Sequence, residues 1–398
     1  MKRLPILLLG LLGICVVCGV QLRGQPAKLT VLPGAQIEIA AVDYPSLQAA
    51  IDALPNSGGV VRLPAGKFEI RRPLVIEKED VLLQGAGTAT HIVNANDQGE
   101  PALVVRPKDH ATNAKSFLWR VQLANVRITG NEKSGHGILA TRVNEIFVHG
   151  VTVSYHGGDG IRLDHCYEDP RICDSLITYN KQNGVALLGC HDIVVCGNQF
   201  EENRDALLCA DGFNLCMSGN NLDDHLRHGV VIENTYGSVV SGNMIEECQG
   251  VGIILDRDCY GITLSANVIA HEFTAGIELR DAHGCAVTGN SFPIVHNRAL
   301  VIGPASGRIS VSGNAFANTY IGEGKTRRPP EQDPAGGIVL EGTSDIAISG
   351  NTFSDLKSDA LSLAGAPSRR VLFANNVLTN VKPGDQGLVE SQVRDNLE

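Results

Sequence analysis

Short apolar segments recur along the chain at a spacing of about 23 residues. Each begins with a small residue and then alternates apolar and variable positions, as in GIRL at 160–163 and GIEL at 276–279. The small residue stands at 137, 160, 184, 206, 229, 252, 276, 299, 337 and 360, in steps of 22 to 24 residues and one step of 38. Alternation with a period of two is typical of a strand. A fixed period of this length predicts a solenoid of stacked coils, because one repeat cannot bury its apolar face alone.

A second column of asparagines runs in step with the first. Most members follow a small residue, in frames such as VSGNMI and VTGNSF: Asn198, Asn220, Asn243, Asn267, Asn290, Asn314, Asn351 and Asn376. Asparagine tolerates tight turns, and its amide can bond the same amide one coil away. The register therefore predicts a ladder of side-chain amides inside the solenoid.

These repeats resemble the right-handed parallel β-helix of the pectate-lyase superfamily, whose coils carry an inward asparagine ladder and three sheets. Residues 43–93 are similar to the N-terminal entry of that superfamily, where a helix caps the first coil. Ser46 is a suitable N-cap, and one apolar helical face follows it: Leu47, Ala50, Ile51 and Leu54. The resemblance implies an all-β, single-stranded right-handed parallel β-helix solenoid of about ten or more coils with an N-terminal capping helix.

One elongated domain is expected. Two basic residues precede an apolar run at 4–20, which predicts a secretory signal peptide or an uncleaved N-terminal anchor, and therefore export to the periplasm, cell surface or medium. The predicted segments are the signal peptide or anchor at 1–24, a linker at 25–42, the cap and first coils at 43–116, the β-helix at 117–381 with an insertion loop at 318–336, and a polar C-terminal tail at 382–398.

Charge and composition narrow the partners. The formal charge is −10 and no basic stripe appears, which argues against nucleic acid. Aromatic residues are only 5%, so a long row of sugar-stacking rings is not expected. A membrane contact is expected only through an uncleaved N-terminal segment.

Nine cysteines lie beyond residue 24: Cys166, Cys173, Cys190, Cys196, Cys209, Cys216, Cys248, Cys259 and Cys285. Several lie one coil apart, so disulfides between coils, a metal site and apolar stacking are all open. Adjacent coils are ~4.8 Å apart, near the Cα separation that a disulfide accepts. Stacking is favoured, because the spacing follows the repeat and not a ligand pattern.

Chemistry is expected on the outward face of the strand that begins at each small residue. Its outward positions lie two and four residues after that residue, and they are charged in two places. The first charged patch is Asp159, Arg162, Asp164 and His165, and the second is Glu233, Asp256, Arg257, Asp258, Glu278, Arg280 and Asp281. Turns beside the second patch add His225, Arg227, His228, His271 and His296. Such a set spans only ~10–15 Å over two or three coils, which suits proton transfer at a sugar C5, an acid/base carboxylate pair or a calcium ion.

The insertion loop precedes the strand at 337 and is expected beside the same face. Arg327 and Arg328 would bind an acidic polysaccharide, and a solvated loop without a role is the alternative.

The leading hypothesis is an exported protein that acts on an acidic polysaccharide by β-elimination or C5 epimerisation. Arg280 would be base or carboxylate clamp, His228 an acid/base, and Glu233 with Asp256 would bind sugar or calcium; no other cofactor is expected. The first patch with Arg257 would bind substrate. A non-catalytic glycan-binding or surface-assembly protein is the alternative, since Asp256 and Arg280 also suit an ordinary cross-strand ion pair.

A glycoside hydrolase that uses Asp256 and Glu278 is the third hypothesis. DGI at 159–161 and HGVVI at 228–232 are similar to parts of the polygalacturonase motifs. The double-aspartate motif expected between them is absent, and so is the DPHD signature of bacterial mannuronan epimerases. Fold class is therefore better specified than reaction.

Overall fold

The computed structural model describes residues 32–271, 273–318, 335–384 and 386–398. The predicted signal or anchor segment lies outside these residues, as does most of the insertion loop, including Arg327 and Arg328. Among the described residues, no helix is long and apolar enough to cross a membrane. The unit Gln36–Glu398 is a parallel β-solenoid, which confirms the predicted fold class.

One side of the solenoid is a twelve-stranded parallel sheet with one strand from each coil. Its strands are Leu74–Ile76, Leu103–Val105, Ile138–Thr141, Ile161–Asp164, Asn183–Leu188, Asp205–Ala210, His228–Glu233, Val251–Asp256, Ala275–Leu279, Leu300–Ile302, Ile338–Leu340 and Leu361–Leu363.

The other described strands form a 28-stranded sheet, also parallel. They are Glu38–Ala40, Gly59–Arg62, Gly66–Ile70, Val81–Asn94, Leu118–Thr129, Val143–His149, Thr152–Ser154, Arg171–Cys173, Leu176–Thr178, Val194–Cys196, Gln199–Glu201, Cys216–Ser218, Asn221–Asp223, Val239–Ser241, Met244–Glu246, Cys259–Tyr260, Thr263–Ser265, Val268–Ala270, Ala282–His283, Ala286–Thr288, Ser291–Pro293, Gly307–Ser312, Ala315–Ala317, Ser344–Ser349, Thr352–Ser354, Arg369–Ala374, Val377–Thr379 and Gln392–Arg394.

The two ends of the described unit differ. A 3₁₀ turn at Ala41–Asp43 precedes the helix Leu47–Asp52, where the Ser46 hydroxyl accepts the N–H of Ala49 at 3.1 Å as an N-cap. At the other end, the predicted polar tail is wrong in part, because Gln392–Arg394 pairs in parallel with the strand before it. Enough apolar and ladder-forming residues remain there to build a last coil.

The core is a column of inward side chains that repeat from coil to coil. Phe292, Phe316 and Phe353 stack with ring centroids 4.7 and 4.8 Å apart, and all three are buried. Each ring rests on the ring one coil below, so the side-chain spacing equals the spacing of neighbouring strands.

The predicted asparagine ladder is confirmed. The Asn243 side-chain amide donates to Oδ1 of Asn267 at 2.9 Å, and Asn267 donates to Asn290 at 3.0 Å. The ladder runs from Asn198 to Asn376 and ends on Asn396. Most preceding residues are glycines at positive φ, which explains the small residue in each frame. A shorter ladder that the sequence analysis did not identify links Asn180 to Asn203 at 2.8 Å.

All nine described cysteines are free thiols. Six are buried and extend the core, as stacking predicts: Cys166, Cys190, Cys209, Cys248, Cys259 and Cys285. Cys173, Cys196 and Cys216 reach the surface.

We expect Asn267→Ala to lower the free energy of unfolding by about 3 kcal/mol or more, because it removes the acceptor of the buried Asn243 backbone N–H. It also removes one of the two hydrogen bonds at the Asn243 side-chain amide and one of the two at Oδ1 of Asn290. Asn221→Ala is the matched control, since its amide bonds Gln199 at the surface, and it should cost less than about 1 kcal/mol. Denaturant unfolding measures both values, and equal losses would contradict a structural role for the ladder.

His225 and His156 make stability depend on pH. Burial lowers the pKa of His225 to about 4 and that of His156 to about 3. Between pH ~6.5 and these folded pKa values, the unfolded chain therefore binds protons that the native chain does not. As the pH decreases through this range, the free energy of unfolding decreases by about 1.4 kcal/mol per pH unit for each histidine. His225→Asn replaces the imidazole by an amide next to Asn203, the last asparagine of the shorter ladder. This substitution should remove the contribution of one histidine to the pH dependence of the free energy of unfolding. Unfolding at several pH values tests this, and an unchanged slope would contradict it.

Candidate functional site

The outward side chains of the twelve-stranded sheet form three columns. The strand starts contribute Asp205, His228, Val251, Ala275 and Arg298; the strand centres contribute Leu208, Val231, Ile254, Glu278, Val301 and Val339; and the strand ends contribute Ala210, Glu233, Asp256, Arg280, Gly303 and Glu341. Apolar members cluster apart from the core, and Ile254 is only 1% exposed. The face is therefore a buried apolar stripe between two polar edges.

The second charged patch is assembled as predicted on neighbouring coils. The Arg257 guanidinium pairs with Glu233 at 2.6 Å, and the backbone N–H of Arg257 donates to Asp256 at 2.8 Å. Arg280 lies 3.7 Å from Asp256 and 2.7 Å from Glu278. Every one of these carboxylates therefore has an arginine partner.

Glu278 and Arg162 are the two charged side chains in the central column of the described strands, and Glu278 is the one in the second charged patch. Its side chain is only 14% exposed, and Arg298 approaches its second oxygen at 3.5 Å from the next coil. A carboxylate so enclosed needs both guanidinium groups to offset the loss of hydration. Arg298 in turn lies 3.8 Å from Glu341.

His228 begins the strand next to this cluster. Its Nδ1 accepts the backbone N–H of Val251 at 3.0 Å, so the neutral ring carries its proton on Nε2. Burial lowers the pKa of His228, and Arg227 and Arg280 lower it further, while Asp205 and Glu278 oppose the shift. At neutral pH, His228 is therefore an uncharged donor through Nε2.

His228 is positioned by an ion pair that the sequence analysis did not single out. The Asp205 carboxylate is fully buried and accepts from the Arg227 guanidinium, with one contact at 2.7 Å, and from the His228 N–H at 3.0 Å. Asp205 raises the pKa of Arg227. The segment RDALL at 204–208 contained the indication of this ion pair, because Asp205 occupies the position in its repeat that His228 occupies in the next.

The first charged patch divides into a buried and an exposed half. Asp159 is buried, and its carboxylate accepts the Asn183 side-chain amide at 2.8 Å, with Arg162 at 3.6 Å. Asp164 and His165 pair with each other at 2.5 Å on the outer surface. Asp159 is thus part of the framework, whereas Arg162, Asp164 and His165 face solvent in part.

His225 was expected beside the second patch, and this expectation is wrong. Its side chain is fully buried among core residues because the turn directs it inward. His271 is near the surface but lies 3.2 Å from Glu247, beside the 28-stranded sheet.

Three carboxylates form the one group of three or more potential metal ligands in the described ranges: Asp223, Asp224 and Glu247. Burial, and repulsion from Asp224, Glu246, Glu247 and Glu201, raise the pKa of Asp223 to about 6. Oxygen-only ligands suit hard cations such as calcium. Glu233 and Asp256, expected as calcium ligands, are instead held by arginines.

A row of aromatic rings, one of them an imidazole, lies on one turn. Rings of Tyr167, His191, Phe213, Tyr236 and Tyr260 stack on consecutive coils, with centroids 3.6 to 5.3 Å apart. Each ring covers its neighbour's face, so the row presents ring edges to solvent. In-register stacking explains the row, and a sugar platform is not needed.

Comparisons with known proteins agree on the fold. The family model "Right handed beta helix region" matches residues 108–220 and 257–396, and the model "Periplasmic copper-binding protein (NosD)" matches residues 181–326. Copper favours imidazole and thiolate ligands. The only group of three potential ligands among the described residues consists of carboxylates, which do not fit copper.

Several solved structures share the architecture. The A-module of mannuronan C-5 epimerase AlgE6 from Azotobacter vinelandii is 16% identical with a TM-score of 0.59, and 90% of this chain and 98% of that chain are covered. DFA-IIIase from Arthrobacter chlorophenolicus A6, in complex with GF2, is 13% identical with a TM-score of 0.60 and coverage of 91% and 99%. A tailspike protein of E. coli bacteriophage HK620, in complex with a pentasaccharide, is 15% identical with a TM-score of 0.55 and coverage of 87% and 73%. A comparison with curated proteins gave no match. Identities this low show the fold alone.

Asp223→Asn should stabilise the protein at pH 8. A carboxyl whose folded pKa is raised favours the folded state at low pH and loses that stability as pH rises through about 6. Solvent screening limits the gain at pH 8 to about 1 kcal/mol, and it should vanish near pH 4. Denaturant unfolding at both pH values measures it, and a gain that does not depend on pH would argue against carboxylate repulsion.

Proposed function

The chain belongs to the right-handed β-helix family, and from that premise we propose that it is an exported protein that acts on an acidic polysaccharide. The observation that carries the proposal is the cluster of Glu278, Arg280 and Arg298 beside His228 on the outer face. This cluster combines fixed positive charge, a carboxylate and an imidazole donor within neighbouring coils.

The proposed reaction is β-elimination or C5 epimerisation of a uronate. Both begin with removal of the C5 proton, which is easier when a cation neutralises the substrate carboxylate. Arg280 and Arg298 would bind that carboxylate, because guanidinium groups match its planar geometry. They would exchange their present partner, Glu278, for the substrate.

Glu278, released from its arginines, would accept the C5 proton in the proposed scheme. Its low exposure favours a base in a poorly hydrated site. In elimination, His228 would hydrogen-bond the leaving oxygen through Nε2 while that oxygen takes a proton from water. In epimerisation, a water molecule bound to His228 would return a proton to C5 on the opposite face. Glu233, Asp256 and Arg257 would hydrogen-bond sugar hydroxyls, and Arg162, Asp164 and His165 would contact the polymer farther along, with Asp159 fixing Arg162.

The neighbouring structures support the class of ligand. The similar structures include a mannuronan epimerase, and two of them are complexes with GF2 and a pentasaccharide. Because the net charge is −10, binding of an acidic polymer would depend on local arginines. Arg327 and Arg328 remain proposed contacts.

A non-catalytic glycan-binding or surface-assembly protein is the second candidate. Glu233, Asp256 and Glu278 are each paired with arginine, and the centre of the face is otherwise apolar. Such pairing suits a stable surface as well as a resting active site. A glycoside hydrolase with Asp256 and Glu278 as its carboxylate pair is the third candidate.

We expect the protein to convert at least one uronate polymer, and Arg280→Ala and Glu278→Gln each to lower the rate roughly 100-fold. Absorbance of unsaturated products measures elimination, and NMR of the polymer measures epimerisation. Glu201→Gln on the 28-stranded sheet is the matched control and should keep full activity. Thermal unfolding confirms that each variant folds.

Other outcomes separate the candidates. Polymers that bind without changing favour the non-catalytic protein, and new reducing ends without unsaturation favour the hydrolase. Full activity in both variants would remove the cluster from the reaction.

A further inference from the structure

Two thiols on adjacent coils meet at the surface of the 28-stranded sheet. Strands Arg171–Cys173 and Val194–Cys196 pair in parallel with Cys173 opposite Cys196, and their sulfur atoms lie 2.9 Å apart. Both side chains are partly exposed. We propose that Cys173 and Cys196 are the site of a disulfide that joins two consecutive coils.

The backbone places these residues within reach of a covalent bond. Directly opposed residues on neighbouring parallel strands have Cα atoms ~4.8 Å apart, inside the range that disulfides adopt. Because opposed side chains leave a sheet on the same side, the two sulfur atoms can join by small side-chain rotations without a backbone shift.

A second pair of cysteines, Cys166 and Cys190, shows what a stacking pair looks like instead. They also lie one coil apart and their thiols also interact, but both are fully buried. Each thiol donates to a backbone carbonyl, Cys166 to Ala140 at 3.7 Å and Cys190 to Leu163 at 3.5 Å. The thiols of Cys173 and Cys196 contact each other, and solvent reaches both.

The reaction needs an external oxidant, for which a small-molecule disulfide suffices. The thiolate of one cysteine attacks a sulfur of the oxidant and displaces one thiolate, and the second cysteine then attacks the mixed disulfide and displaces the other. The protein loses two protons and two electrons, and the oxidant becomes two thiols. Burial, together with Cys196, raises the pKa of Cys173 to about 12, so the reaction is faster at alkaline pH.

The bond would close a loop of one full coil. It would fix the register between the two coils and restrict the unfolded chain, which raises the temperature of unfolding. This inference is independent of the proposed polysaccharide chemistry. An exported chain meets the oxidising conditions that such a bond requires.

The test compares the purified full chain after equilibration with reduced or oxidised glutathione at pH 8.5. After unfolding and alkylation of the oxidised sample, we expect the two thiols of Cys173 and Cys196 to be lost, no glutathione to be retained on either residue, and tandem mass spectra that join Cys173 to Cys196. An adduct on the exposed Cys216 is counted separately. The oxidised protein should unfold a few degrees higher. Cys173→Ser and Cys196→Ser should each abolish the two-thiol loss and the thermal shift, whereas Cys166→Ser, in the buried pair, should preserve both.

Three results would overturn the proposal: an unchanged thiol count in the wild-type chain, stable glutathione adducts without a linked peptide, or an undiminished thiol loss in Cys173→Ser. Circular dichroism shows whether each variant folds. The two serine substitutions lie at partly exposed positions, so folding should survive even where the bond is lost.

Discussion

In-register hydrogen bonding between coils is the constraint on which the rest of this structure depends. Each strand pairs in parallel with the strand one repeat later, so equivalent residues lie directly above one another. Each side chain therefore lies next to the side chain at the equivalent position of the neighbouring coil. Amides satisfy this condition by bonding each other, and aromatic rings satisfy it by stacking. Carboxylates at equivalent positions repel each other, and in the second charged patch arginines lie beside them.

The candidate site follows from that last condition. Asp256 and Glu278 meet Arg280, and Glu278 also meets Arg298, so like charges are never stacked without a counter-charge on this face. The opposite case is the group around Asp223, where carboxylates of successive coils face each other, and burial together with this repulsion raises the pKa of Asp223. The same geometry thus creates one balanced and one strained charge array.

The repeat made the fold and the asparagine ladder predictable, because both depend only on period and residue type. It also placed Glu233, Asp256, Glu278 and Arg280 on one face, since strand alternation decides their direction. It failed at the turns. His225 points into the core, and Asp205 was not recognised as the anchor of Arg227. Turn residues at positive φ redirect the side chains that follow them, and a period alone does not report φ.

The amino-acid composition alone does not show where the aromatic rings and the cysteines lie within a coil. Five rings form a continuous row although aromatic residues are few, because the repeat concentrates them on one turn. Conversely, the nine cysteines look alike in sequence, yet six are core residues and two meet at the surface. Position within the coil, and not abundance, decides what each residue type does.

The asparagine ladder has a direction. Each side-chain amide donates to the amide oxygen one coil towards the C-terminus, and the bond from Asn314 to Asn351 at 2.9 Å is as short as the others although 37 residues separate the two. The ladder therefore depends on the stacking of successive coils and not on the number of residues between two asparagines. A lineage of such chains can lengthen a turn freely or add a whole repeat, but it cannot insert half a coil without breaking a line of dipoles that runs to Asn396. The hydrogen bonds of the asparagines therefore require the solenoid to lengthen by whole coils.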